Sequence, residues 1–189
     1  MKVKLGGVPL ICPVPVVLAG AEVNGRANFT TLGDCGIMGL NPPLVYVSLH
    51  EKHHSTAGIQ EKLTFSVNVP SESMIAVTDH CGIVSGRDVD KSALFSVFYG
   101  ELGTAPMISE CPVCLECRVV KSFGIQHRRI FVGEVVQTYV NEECVEETSG
   151  RPEIRGLSEI APITYGLDNR YYGVGKVLGS GYTHKEMPV

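Results

Sequence analysis

Short apolar runs recur along the chain, several of them alternating with polar residues, and the stretches between them are too brief for long helices. Residues 15–21, Pro-Val-Val-Leu-Ala-Gly-Ala, combine β-branched and small side chains and predict a strand. Asn24-Gly25, within residues 22–26, supplies the turn after it. Residues 44–50 form an apolar run behind Pro42-Pro43 and predict a second strand. Residues 65–69, Phe-Ser-Val-Asn-Val, alternate as a half-buried strand does. Three more strands are expected at 115–123, 130–140 and 171–178. The predicted helices are short. One covers 55–62 with Ser55 as its N-cap, and one covers 71–80 capped by Ser71. A third is capped near Asp90, at the end of the loop "CGIVSGRDVDKSALF". Residues 141–160 are acidic and polar, carry Gly150 and Pro152, and read as a surface excursion.

This order of elements argues against a doubly wound parallel sheet, which needs long crossover helices. It predicts a mostly β fold with short helices, as a closed or split antiparallel barrel that leaves few exposed edges. With 189 residues and no internal repeat, the whole chain, 1–189, is expected to be a single domain.

Composition narrows the function. Hydrophobic residues make up 44% and charged residues 19%, which excludes disorder. A net charge of -4 gives no electrostatic case for nucleic acid. No run approaches the roughly 18 apolar residues that span a bilayer. Lys2, Lys4 and the small residues Ala19-Gly20-Ala21 mimic a secretory leader, but Pro9, Pro13 and Pro15 interrupt the apolar stretch. A cytoplasmic location is expected. Seven cysteines, an odd number without scaffold spacing, agree with that and read as small buried hydrophobes.

Three stretches carry misleading chemistry. "GVGKVLG" at 173–179 begins as a dinucleotide fingerprint, but Leu178 stands at the third glycine and no βαβ unit follows. "CPVCLEC" has metal-like gaps, yet on an extended strand Cys114 faces away from Cys111 and Cys117, so no metal site is expected. "TDHCG" sets Asp79, His80 and Cys81 side by side, and adjacent residues on a helix do not face one another. Gly82 then reads as the helix stop.

"KHHST", residues 52–56, lies between a strand end and a helix start. A helix N-terminus offers free amides and a positive dipole end, a natural phosphate seat, and Lys52, His53, His54, Ser55 and Thr56 add donors. The alternative is an ordinary solvated turn with a serine cap, and these residues alone favour neither. Thr30, Thr31 and the amides of residues 33–36 add donors and acceptors beside a planar ligand. Together these features suit a mononucleotide.

The stretch "PVPVVLAGAEVNGRANFTTLGDCGIMGLNPPLVYVSL" resembles the flavin reductase-like proteins. "FSVNVP", "CGIVSGRDVDK", "APMISECPVCLEC", "RIFVGEVVQTYV" and "APITYGLDNRYYGVGKVLGSGY" follow in the same order, so the likeness spans about residues 9–182. "DHCGIVSGRDVDK" and "ECPVCLEC" look most like the flavoredoxin-type members. The resemblance implies an FMN-binding split β-barrel that forms a homodimer, with FMN held near the dimer interface. It places residues 28–35 (Asn28, Thr30, Thr31, Leu32, Gly33 and Cys35) beside the flavin ring and ribityl chain. Ser48, Leu49, His54, Ser55 and Thr56 would hold ribityl and phosphate, and Ser85, Gly86 and Lys91 would approach the flavin from a loop. Many members carry Gly-Asp-His where this chain has Ile125-Gln126-His127, so His127 keeps the imidazole without its neighbouring acid. It is the one catalytic candidate, against an ordinary surface turn residue.

The implied reaction is hydride transfer from NADH or NADPH to flavin, with the cofactor carrying the chemistry. In this reading the amides of residues 32–36 hydrogen-bond the flavin's pyrimidine edge, and Cys35 packs against the ring without reacting. The flavoredoxin likeness implies a second possibility, an electron-transfer flavoprotein fed by a redox partner protein. A third is a small-ligand barrel without redox chemistry.

Overall fold

The computed structural model describes residues 1–182. Its framework is one seven-stranded antiparallel sheet. The strands are β1 (Val17–Val23), β2 (Arg26–Leu32), β3 (Cys35–Leu40), β4 (Pro43–His50), β5 (Thr64–Val69), β6 (Val113–Ile125) and β7 (Arg128–Val140). Their spatial order is β2-β1-β5-β6-β7-β4-β3. Two helices matter for the site: α1 (His54–Lys62) follows β4, and α2 (Ile75–Ile83) follows a single 3₁₀ turn at Glu72–Met74.

The sheet curls until one face encloses its own core. Val17, Ala19 and Ala21 of β1 meet Val47 and Leu49 of β4, Phe65 and Val67 of β5, Cys117 of β6 and Phe131 of β7 there. Ile59 of α1 joins the same cluster. Leu18, with the opposite phase on β1, enters a second core outside the barrel with Phe29, Cys81, Met107 and Ile108. β1 is therefore buried on both faces, which is why it reads as an unbroken apolar run. Gly133 on β7 makes room for the Phe65 ring, because a Cβ there would overlap it.

The strands at 15–21, 44–50, 65–69, 115–123 and 130–140 are found, mostly longer than expected. The expected strand at 171–178 is not: only Tyr171–Tyr172 pairs, with Thr164–Tyr165, which in turn pairs with Val14–Pro15. The described residues after Tyr172 carry four glycines and leave Val177 and Leu178 exposed, so no apolar face holds them against a sheet. Two strands of the seven-stranded sheet, β2 and β3, went unanticipated. β2 buries Asn28 and Thr30 as well as Phe29, so it lacks the apolar-polar alternation that marks a strand.

Capping also differs. His53, not Ser55, is the N-cap of α1, without a side-chain cap bond, and Ser55 lies inside the first turn. α2 runs through Gly82 to Ile83, with Val84 as its C-cap. Asp90 does cap the 3₁₀ helix Lys91–Leu94, accepting from the Ser92 amide. In the 141–160 excursion, the hairpin Val145–Thr148 with Arg151–Ile154 is largely exposed, while Cys144 and Ile160 are buried beneath it.

Cys111 shares the outer core with Cys114, whereas Cys117 faces the barrel interior. Cys111 lies ahead of β6, so strand alternation does not govern it, and the expected grouping with Cys117 fails. Burial pushes the Cys114 and Cys117 thiols up to about 12. Among the described residues, no three His, Cys, Asp or Glu side chains are grouped to hold a metal ion.

Candidate functional site

β2, the start of α1 and the loop after α2 converge on one small cavity. Asn28 Nδ2 donates to Ser55 Oγ at 2.7 Å, and both side chains are buried. With its oxygen accepting from Asn28, the Ser55 hydroxyl keeps its proton for another partner. Residues 84–91 fold over the end of α1: Arg87 Nη1 donates to the Lys52 carbonyl at 2.8 Å, and Ser85 O accepts from the Asp88 and Val89 amides. Lys91 is only 3% exposed and donates from Nζ to the Cys81 carbonyl at 2.7 Å. The space between them, about 180 Å³, is lined by Thr30, His53, His54, Ser55, Gly86 and Lys91, among others.

The cavity is built for an anion. The His54 and Ser55 amides at the start of α1 have no acceptor within the helix, and no acidic residue stands in the first turn. Lys91 brings a buried cation whose pKa burial lowers, and among the described residues no carboxylate forms an ion pair with it. Burial likewise lowers the pKa of His54, with Arg87 and Lys91 adding to the effect. Desolvation lowers His53, aided by His50, Arg128, Lys91 and Arg87. Both imidazoles are thus mainly neutral near pH 7 and serve as hydrogen-bonding groups, while Lys91 supplies the charge.

A larger cleft of about 570 Å³ adjoins this cavity, sharing Gly82 and Ile83 with it. Thr31, Leu32 and Gly33 form one wall, α2 another, and Tyr165, Asn169 and Tyr171 a third. Thr31 Oγ1 donates to the Thr78 carbonyl and ties β2 to α2. The Tyr165 and Tyr171 rings lie 5.4 Å apart. Tyr171 donates to Asp79 Oδ1 at 2.8 Å, and burial together with that carboxylate pushes its phenol up to about 12. Aromatic faces beside Thr, Asn and Asp side chains suit a flat heterocycle with polar edges.

Asn28, Thr30, Thr31, Leu32, Gly33, His54, Ser55, Ser85, Gly86 and Lys91 all border this trench. Four expected residues do not. Thr56 is 1% exposed, its hydroxyl donates to the His50 carbonyl at 2.9 Å, and its amide donates to His53 O. Leu49 is fully buried in the barrel core. Ser48 takes the Arg128 guanidinium on both its hydroxyl and its carbonyl. Cys35 borders a separate apolar pocket of about 380 Å³ with Val17, Val45, Val67 and Leu115. Its amide is already given to Gly33 O, and burial, then Asp34, push its thiol up to about 11. His127 stands in the β6–β7 turn, stacked on His50 at 6.0 Å, outside the trench. Its missing acid has a spatial substitute, for Glu51 Oε1 lies 3.3 Å from Nδ1. Sequence reasoning overlooked Asp79, Tyr165, Asn169 and Tyr171 as site residues. The one signal was the cluster of tyrosines among turn residues in "TYGLDNRYYG".

The family model described as the flavin reductase like domain matches residues 10–167. The chain belongs to the flavin reductase-like family. Its fold is the FMN-binding split β-barrel, shared with solved structures at under 25% identity and a TM-score of 0.77. Flavoredoxin from Methanosarcina acetivorans is 41% identical with a TM-score of 0.90, and the match covers 97% of each chain. Flavoredoxin of Desulfovibrio vulgaris is 28% identical with a TM-score of 0.88, covering 98% of this chain and 100% of that one. The reductase component of a Rhodococcus opacus 4-nitrophenol 4-monooxygenase/4-nitrocatechol 2-monooxygenase is 33% identical over 96 residues, 51% of this chain and 49% of that protein. The chain spans 65%, 76% and 49% of the length of three curated relatives it matches. Among the described residues of this flavin reductase-like chain, no helix is long and apolar enough to cross a membrane.

Proposed function

We propose that the trench holds FMN and that the protein is an NAD(P)H:flavin oxidoreductase, acting in the cytoplasm as a homodimer. The observation that carries this reading is the joining of two unlike spaces. An aromatic, polar-edged cleft lies beside a cationic cavity at the N-terminus of α1, and the two share Gly82 and Ile83 in their walls. That sequence of environments matches a planar ring, a hydroxylated linker and a phosphate.

The residues present fit the group. Ser55 Oγ, the His54 and Ser55 amides and Lys91 Nζ would hold the phosphate. Thr30 and Thr31 stand where the two spaces meet, positioned to bond hydroxyls of the linker. Gly86 keeps the passage open, since a Cβ there would overlap the Asn28 side chain and crowd His54. The chemistry FMN would supply is acceptance of a hydride from NADH or NADPH and delivery of the two electrons onward. The chain's own part is to bind and orient, which accounts for a site without an acid-base pair.

The 41% identity to a flavoredoxin supports a second reading, an electron carrier reduced by a partner protein. The edge strand β3, with Ile37, Met38 and Leu40 exposed, supplies an apolar surface for the second subunit. An anaerobic visible spectrum before and after NADH or NADPH tests the first reading. Loss of the flavin band at about 450 nm is the expected result. A flavin that bleaches only with a reduced protein partner would transfer the assignment to the carrier. Colourless protein that cannot be reconstituted with FMN would remove both.

A further inference from the structure

Two apolar surfaces have no use in the trench, and they lie near one another. The first is the arm before Val14. Residues 5–12, Leu-Gly-Gly-Val-Pro-Leu-Ile-Cys, carry no charge. On it Leu5, Val8, Leu10 and Ile11 are 67%, 54%, 56% and 83% exposed. The hydrogen bonds of the arm are local: Val8 N donates to Gly6 O at 3.1 Å, Leu10 N to Val8 O at 2.9 Å and Ile11 N to Pro9 O at 3.0 Å. Among the described residues, none reaches the barrel. Four aliphatic side chains exposed together on one short segment make a surface that favours burial.

The second surface is the pocket of about 380 Å³ that Cys35 borders. Pro15, Val17, Ile37, Val45 and Leu115 wall it, and none of its lining residues is charged. A phosphate, carboxylate or ammonium group would lose its hydration there without a counter-charge. Aliphatic side chains lose nothing by entering.

Both surfaces adjoin the edge of the sheet. Ile37 belongs to the pocket wall and to the exposed face of β3, and Pro15, at the root of the arm, lines the same pocket. A two-fold contact through β3 repeats both features on each subunit, so it brings the root of one arm near the pocket of the other. Val14 and Pro15 are fixed by pairing with Tyr165 and Thr164. From there back to Leu5 the extended chain reaches about 30 Å. Within one chain the arm does not fold back, for Leu10 and Ile11 stay exposed although Pro15 is only a few residues away.

We propose that two subunits exchange these arms, residues 5–11 of one chain filling the Cys35 pocket of the other. The proposal rests on the β3 subunit contact given above and adds to it an occupant for the pocket.

The test is analytical ultracentrifugation of the full-length protein and of a variant carrying Val8→Asp, Leu10→Asp and Ile11→Asp. The arm belongs to no core, so the variant is expected to keep its circular dichroism spectrum. Its dimer dissociation constant is expected to rise about a hundredfold or more. A photoreactive benzophenone side chain at position 10 identifies what the arm touches, in dimers mixed from heavy-isotope-labelled and unlabelled chains. After irradiation, mass spectrometry is expected to find arm peptides of one isotope joined to pocket peptides of the other. Links confined to one isotope would mean that each arm fills its own pocket, and would overturn the exchange. A variant dimer as tight as that of the unaltered protein would overturn it too and leave the β3 contact standing. Sedimentation of the unaltered protein as a monomer would overturn the subunit reading and this proposal together.

Discussion

Ser55 and Thr56 are neighbours with the same functional group and opposite tasks. Ser55 accepts from Asn28 and keeps its proton for the cavity, whereas Thr56 spends its hydroxyl on the His50 carbonyl. Ser55→Ala is therefore expected to weaken FMN roughly tenfold, the loss of one charge-assisted hydrogen bond of about 1.5 kcal/mol, and to lower stability by about 1 kcal/mol because the buried Asn28 amide loses its acceptor. Thr56→Ala is expected to lower stability by about 1 kcal/mol with FMN affinity intact. Fluorescence titration and thermal melts of the two variants check this. The histidines make a pH prediction. The folded pKa of His54 lies below its ordinary value of 6.5, so on acidification the unfolded chain takes up the proton first. Stability is fully present above pH 6.5 and falls as the pH drops through 6.5 toward the lowered folded value. The His54 resonance in a pH titration by NMR should show the low pKa, and bound FMN should raise it, since a phosphate favours the charged ring.

At the level of elements, the site depends on a loop after a helix and a polar strand beside it, each braced from behind. Lys91 and Arg87 hold residues 84–91 through the Cys81 and Lys52 carbonyls, and Thr31 ties β2 to α2. A comparable brace acts on β6. Glu116 is fully buried, and its carboxylate accepts from the Glu101 amide at 3.0 Å and the Leu102 amide at 2.8 Å, with Tyr139 OH at 3.4 Å. Glu116→Ala leaves two amides without an acceptor and is expected to destabilise the fold by about 2–4 kcal/mol. Glu116→Gln, which keeps one acceptor oxygen, should cost less. Urea melts of both variants measure the difference, with FMN affinity at saturation of folding unchanged. The apolar strands announce themselves by period. β2 and β3 do not, because β2 buries polar residues beside Phe29 and β3 exposes Ile37, Met38 and Leu40.

On the scale of the molecule, the exposed apolar edge of β3 is an unusual surface for a monomer to present to water. Light scattering on an eluting column is expected to give twice the chain's 20.4 kDa mass. Ile37→Asp with Leu40→Asp should shift it to the monomer, since each buried charge would lack a partner. Retention of the dimer in that variant would place the subunit contact elsewhere.

The chain's local pattern by itself determined the β character, the main barrel strands and the short helices, because burial on a curved sheet writes its period into the sequence. Resemblance then brought most of the trench residues onto the page, from Asn28 through Lys91. Which hydroxyl was free, Ser55 or Thr56, was decided only by tertiary contacts from Asn28 and His50, residues distant or out of phase along the chain. The same holds for the tyrosines. Tyr165 and Tyr171 join α2 and β2 across more than eighty positions, and Glu51 reaches His127 across the β4–β7 pairing. A one-dimensional period records which face of an element is buried; it carries no record of what stands opposite that face, and the trench is made from those oppositions.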